Sequence, residues 1–239
     1  MQPRDPVGAR GKWNLCWTRV RIANMVTDLV RFRDREERAR YILTHFGKYF
    51  GRSVLDMGCD AAPLRKLVTD VEYTGVDISG TPDIFLDVAA LDRLPFDDSS
   101  FDCVICADFL EHIDDLHAAF SEVLRVSRKY VIVSWPNCWA VARVPIQRGY
   151  GRFKHYGLPV EKPPDRHKWF FSFSQARHFV QEHIGTNGDF EIAEERLTEK
   201  PKFVLFRAAR HLRYPNLVRY ANRYVHTYWT VLRRIGGSL

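Results

Sequence analysis

Asp108, Glu111 and His112 fall within five positions of one another, directly after an apolar run. His112 is the candidate general base, because imidazole is the side chain whose ordinary pKa lies near neutrality. Glu111 joins it, as does His167 in Asp165-Arg166-His167-Lys168-Trp169, where His167 and Trp169 would wall an acceptor pocket. The same residues also suit quieter work, Asp108 and Glu111 as helix caps and His112 as a packed polar group. A second set of acids closes short apolar runs. Asp56 lies in Val54-Leu55-Asp56-Met57-Gly58-Cys59-Asp60-Ala61-Ala62-Pro63, read as strand, tight turn and helix start. Asp77 follows 21 residues after Asp56, where a carboxylate can accept from both hydroxyls of a ribose, and Asp87 ends the next run. A dinucleotide fold needs G-x-G-x-x-G, but the corresponding positions are Gly58, Asp60 and Pro63. Asp60 would face phosphate oxygens, so a pyrophosphate ligand in this turn is disfavoured.

The elements that must position these residues alternate. Runs at 53–58, 73–77, 83–87, 101–107 and 130–135 read as strands, and 61–70, 116–126 and 173–183 as helices. That order implies right-handed crossovers and an α/β, Rossmann-like, doubly wound, mostly parallel seven-stranded sheet with helices on both faces. Residues 190–197 and 203–206 are expected to pair antiparallel, so that the final strand runs against the rest. Five prolines between 136 and 172 mark an irregular lid or acceptor segment. Before the sheet, 1–50 reads as a helical extension. After it, apolar residues from Leu217 to Ile235 recur every three or four positions, so 208–239 reads as a basic amphipathic helix. The main domain would then span 51–207.

The Asp56–Pro63 stretch resembles the first motif of class I S-adenosylmethionine-dependent methyltransferases, with Asp60 and Ala62 at two of its glycine positions. Leu94-Pro95-Phe96-Asp97-Asp98-Ser99-Ser100-Phe101-Asp102 and Glu111-His112-Ile113 are similar to the type-11, ubiquinone-biosynthesis-like group. The resemblance spans about 50–137. It implies S-adenosylmethionine as cofactor, held by Asp56, Gly58, Asp60, Asp77, Ile78, Asp87, Val88 and Asp108. Asp56 would orient the turn or the methionine ammonium, Asp77 accept from the ribose, and Asp87 accept from the adenine amino group beside Val88. Some relatives carry an acid-x-x-Glu-His group and a later His on a divalent ion. Asp108, Glu111, His112 and His167 resemble that set, although a resident metal is not the favoured reading. The reaction implied is methyl transfer to a small, lipid-linked or glycan-linked acceptor, at oxygen. A nucleic-acid 2′-O-methyltransferase, or a degenerate fold acting as a scaffold, stay open as alternatives.

Composition narrows the setting. Hydrophobic residues make up 46% of the 239, enough for a full core, and no uncharged apolar stretch of eighteen residues occurs. Five cysteines are too few and too uneven for a disulfide framework. Cys103 and Cys106, three apart on a strand, point to opposite faces and read as buried thiols rather than metal ligands. A cytoplasmic protein is expected, with peripheral contact to a membrane as an open alternative. Nine of the 36 Lys and Arg lie beyond residue 199 with no acid among them, so the net charge of +7 belongs to one tail. For residues 207–235 this suggests contact with an anionic membrane or a homodimer through the terminal helix, and RNA less so.

Overall fold

The alternation expected between residues 53 and 136 is realised in a computed structural model, which describes residues 25–236 apart from 153, 154 and 164. Five strands run parallel: β2 (Ser53–Met57), β3 (Glu72–Asp77), β4 (Ile84–Phe85), β5 (Phe101–Ala107) and β6 (Ser127–Pro136). Three more complete an eight-stranded sheet: β1 (Val26–Leu29), β7 (Phe190–Glu199) and β8 (Val225–Arg234). The spatial order is β1-β7-β8-β6-β5-β2-β3-β4, with β8 antiparallel to both its neighbours and β1 parallel to β7. The order reverses at β2, which lies between β3 and β5, and such a reversal opens a crevice at the strands' carboxyl ends.

Each face of the sheet is covered. On one side Leu55, Met57, Val104, Cys106, Val133 and Trp135 pack against α2 (Leu116–Val126) and α4 (Phe173–Asn187). On the other, Val54, Cys103, Ile105, Ile132 and Trp229 meet α1 (Arg35–Phe46) through Ala39, Ile42 and Phe46. Cys103 and Cys106 therefore do face opposite ways, and both thiols are pushed well above their usual range by burial. Local chemistry sets the helix starts. Asp34 caps α1 by accepting from the Glu37 amide, Asp115 caps α2 through Ala118, and Ser172 with Gln175 forms a reciprocal capping box on α4.

Several expectations need correction. The sheet has eight strands, because Val26–Leu29, expected in a helical extension, pairs with Arg196–Glu199 as an edge strand. Only 35–46 of that extension is α-helix, and residues 1–24, with Trp13, Trp17 and Cys16, lie outside the described residues. Residues 61–70 form turns rather than a helix, with the amides of Leu67 and Val68 returning to the Leu64 carbonyl. The lid segment is not wholly irregular. Its first part is α3 (Cys138–Arg148), which keeps Pro145 within it and ends on left-handed Gly149. Phe203–Phe206 is not a strand but the beginning of α5 (Val204–Arg213), followed by α6 (Leu217–Tyr224).

The largest correction concerns the expected terminal helix. Residues 225–234 are the strand β8, inserted between β6 and β7. Val225, Tyr228, Trp229, Val231 and Leu232 are buried. The spacing misleads because Tyr228 and Leu232 meet one face of the sheet while Trp229 and Val231 meet the other. A strand covered on both faces shows no clean alternation. A dimer built on a terminal helix thereby loses its element.

Candidate active site

The crevice at the β2 reversal is built from backbone conformation first. Gly58, immediately after β2, has φ of 76°, and a Cβ there would come within 2.8 Å of the Phe109 ring. Asp60 and Ala62, which stand where the motif has glycines, keep the left-handed conformation with φ of 49° and 46°. The turn therefore holds its glycine-like path with side chains present, at a cost in backbone strain. Its course is fixed from two sides. The Asp60 amide donates to Asp77 Oδ2 at 2.8 Å, and the Thr81 amide donates to the Asp60 carbonyl at 2.8 Å. Gly80, with φ of 81°, packs so closely that a Cβ would lie 2.3 Å from that carbonyl oxygen.

The side chain of Asp60 turns to an ion pair with Arg35. Asp56 is buried and accepts from Tyr73 Oη at 2.6 Å, and burial raises its carboxyl to about 6. Asp77 Oδ1 accepts from the amide of Ser79 at 2.9 Å, so this carboxylate shapes the turn while remaining half-buried at its rim. Ile78 and Asp87 are exposed, with Val88 buried beneath, and Asp87 Oδ1 accepts from the Ala89 amide. These residues line one carboxyl edge, leaving the ends of β2, β3 and β4 accessible from a single side. An adenosine-bearing ligand without phosphates fits this turn: the missing Cβ at Gly58 leaves the backbone bare, and the nearest carboxylates suit hydroxyls and an ammonium.

The turn after β5 carries the other candidates and separates them. Asp108, with φ of 51°, takes the hydroxyl of Ser134 at 2.8 Å and forms an ion pair with Arg38 of α1. It does not join the acid–imidazole group. Glu111, on a short 3₁₀ turn at 110–112, is fully buried, and neither carboxylate oxygen has a hydrogen-bond partner among the described residues. Burial pushes it up to about 8. Around it stand His112 and His167, whose Nε2 atoms lie 3.9 Å and 4.0 Å from Glu111 Oε1.

The far nitrogens of both rings are engaged. His112 Nδ1 meets Asp165 Oδ1 at 2.6 Å, and His167 Nδ1 meets Tyr156 Oη at 2.9 Å. Tyr156 gives its own proton to the Trp169 carbonyl, so His167 Nδ1 is the donor in that pair. With the Nδ1 atoms as donors, it is the Nε2 atoms of the two rings that face Glu111. His155 stacks on His167 with centroids 4.3 Å apart and planes 9° from parallel. Two backbone-directed bonds hold the strap in register: the Lys168 amide donates to the Glu111 carbonyl and Trp169 Nε1 to the Ile113 carbonyl, each at 2.8 Å. Glu111, His112 and His167 are the group that could hold a cation, their donor atoms all within 4.8 Å of one another. Of the four-residue set, Asp108 lies outside it.

Sequence reading did not find Arg35 and Arg38, which reach the two turns from the first helix, nor the supporting roles of Tyr73, Tyr156 and Asp165. Its only available signal was the spacing of Arg35 and Arg38 on one helix face.

Residues 55–133 match the family model described as a methyltransferase domain. No curated protein matches the chain in sequence. Among solved structures the chain is similar to the small RNA methyltransferase HEN1, with 18% identity and a TM-score of 0.55, over 89% of this chain and 27% of that one. It is also similar to the methyltransferase domain of bacterial CtHen1-C, at 16% identity and a TM-score of 0.54, over 83% and 97% of the two chains. A SAM-dependent methyltransferase from Archaeoglobus fulgidus gives 17% identity and a TM-score of 0.53, over 84% and 95%. At these identities the likeness is one of fold, and the acceptor has to be read from the residues.

Proposed function

We propose that the chain, whose residues 55–133 match a methyltransferase domain, is a class I S-adenosylmethionine-dependent methyltransferase of the type-11 group and that it methylates a hydroxyl oxygen of a small, lipid-linked or glycan-linked acceptor. The observation that carries the proposal is the convergence of two imidazole Nε2 atoms, at 3.9 Å and 4.0 Å, on one buried carboxyl beside the β2–β5 crevice. S-adenosylmethionine supplies a methyl group already activated as a sulfonium. What remains for the protein is alignment, exclusion of water and removal of the hydroxyl proton.

Asp77, Ile78, Asp87 and Val88 would hold the adenosine, and Asp56, Gly58, Asp60 and Asp108 the methionine end. His112 takes the acceptor proton at Nε2, and Asp165 fixes the tautomer that leaves this nitrogen free to do so. Burial raises Glu111 to about 8, which favours its uncharged form at neutral pH beside the base. His167 and Trp169 wall the acceptor. In the test, methyl transfer from labelled S-adenosylmethionine is followed over a panel of hydroxyl-bearing acceptors. His112→Gln is expected to keep cofactor affinity while the rate falls about 10²–10⁴-fold, the usual worth of a positioned base. An unchanged rate would remove His112 from the chemistry.

A second reading has its own support in the two partnerless oxygens of Glu111. A divalent cation held by Glu111, His112 and His167 would polarise the acceptor hydroxyl and lower its pKa. Asp165 and Tyr156 would then orient the two imidazoles from behind. Activity lost to a chelator and restored by a divalent ion selects this reading. For partners, exposed Phe203, Val204, Leu205 and Phe206 beside the cations of α5 support peripheral contact with an anionic membrane. RNA, the substrate class named for HEN1, is the alternative acceptor. No helix among the described residues is long and apolar enough to cross a membrane.

A further inference from the structure

The cations that the sequence places in one tail do not spread over a helix face; most of those between residues 200 and 223 gather around a cavity. Lys200 and Lys202 follow β7, Arg210 lies on α5, Arg223 in the last turn of α6, His226 near the start of β8, and Arg143 projects from α3. With Glu199 and Tyr224 they line a space of about 400 Å³, the size of a small-ligand site. Five permanent cations thus surround a single carboxylate, and that carboxylate is spoken for. Glu199 is 1% exposed, with Oε1 accepting from Arg210 at 3.1 Å and Oε2 from Tyr220 Oη at 2.8 Å.

Three of the guanidinium groups crowd one aromatic ring. Arg210, Arg143 and Arg223 lie 4.3, 5.1 and 5.9 Å from the centroid of Tyr224. Tyr224 attracts cations through its π face but carries no compensating charge. Arg223 Nε is buried without a hydrogen-bond partner among the described residues, a donor that their acceptors leave over. The crowding shows in neighbouring groups. Burial together with Lys200, Arg143, Arg210 and Arg31 holds His226 down at about 4, and Lys200 is itself lowered by burial, Arg31 and Lys202. The walls are fixed rather than adaptable. Asn137 Nδ2 ties the start of α3 to the carbonyls of Ala221, Asn222 and Val225 at 2.8–3.1 Å.

We propose that this cavity binds a phosphate or pyrophosphate group carried by a larger ligand. A dianion or trianion would offset an excess that one carboxylate leaves uncompensated. Guanidinium forks match phosphate oxygens two at a time, which a lone carboxylate ligand would exploit less fully. The cavity lies beyond the carboxyl ends of β6 and β7, so it shares a sheet edge with the methyl-transfer crevice while using none of its residues.

Calorimetric titration of the full chain with inorganic pyrophosphate tests it. One-to-one binding is expected, weakened at least tenfold in Arg223→Gln and in Arg143→Gln. Arg213→Gln, which changes an α5 cation outside the cavity, should bind as the intact protein does. Circular dichroism confirms that each variant is folded. Sedimentation with phosphatidylcholine vesicles, with and without phosphatidic acid, identifies the source of the phosphate. Retention on the anionic vesicles that pyrophosphate competes away assigns a lipid headgroup; pyrophosphate binding without retention assigns a soluble phosphate ester. Absence of pyrophosphate binding by the folded protein, or binding equal in all three variants, overturns the proposal. Cofactor titration reads the other crevice, so the two proposals fail separately.

Discussion

Glu111 stands at the centre of the residue-scale account because its surroundings are at odds with its charge. It is fully buried, its oxygens lack hydrogen-bond partners among the described residues, and two imidazoles turn their Nε2 atoms toward it. The sequence shows the members of this group, since an acid–imidazole pair after a strand and a later histidine are visible without a structure. What supports them is hidden, because Asp165 lies 53 residues from His112 and Tyr156 reaches His167 across an irregular strap. The same distance hides Arg38, which meets Asp108 across 70 positions and withdraws it from the acid–imidazole group. Two expectations follow at this scale. Asp165→Asn, leaving the fold intact, should lower the methyl-transfer rate and alter its pH profile without changing cofactor affinity, since only the His112 tautomer loses its anchor. Tyr156→Phe should do the same more mildly through His167. Both are read by comparing rate–pH curves with cofactor titrations of the same preparations.

Elements were legible where one physical signal dominated. The strand 101–107 and the helix 116–126 have the expected bounds, one a continuous apolar run and the other a stripe opened by the Asp115 cap. Ser172 caps α4, and Ser172→Ala should cost about 1 kcal/mol, measured as a lowered denaturation midpoint. Legibility failed in the last forty residues, where sheet context overrides local spacing. Trp229 and Tyr228 are each almost fully buried, on opposite faces of a central strand, so residues 225–234 belong to the core. Deleting the chain from Val225 onward should therefore abolish cooperative unfolding, whereas removal of an appended helix would have spared it. Trp229→Ala is expected to cost about 3–5 kcal/mol in a denaturant titration, as buried aromatics do.

For the whole molecule, charge and proton uptake are the observables. The tail's positive charge has two fates. Arg233 and Arg234 are absorbed by Glu191 and by the carbonyls of Leu124 and Ser127, while Lys200, Lys202, Arg210 and Arg223 face the cavity. His226 is held neutral in the folded state at about 4, below its ordinary 6.5. The unfolded chain binds this proton first, so stability is full above about 6.5 and declines as pH falls through 4. Denaturant titrations across this range should show that decline, and His226→Gln should reduce it. An anion in the cavity would reduce it too, by easing protonation of the ring.

The most direct measurement is calorimetric titration of the purified chain with S-adenosylmethionine, alongside Asp77→Asn. The fold places Asp77 at the end of β3, where it shapes the turn after β2 and keeps its carboxylate at the rim. One-to-one binding that weakens at least tenfold in the folded variant is the result expected of a cofactor crevice at the β2 reversal. No binding by the folded intact chain would contradict it, and so would equal binding by Asp77→Asn.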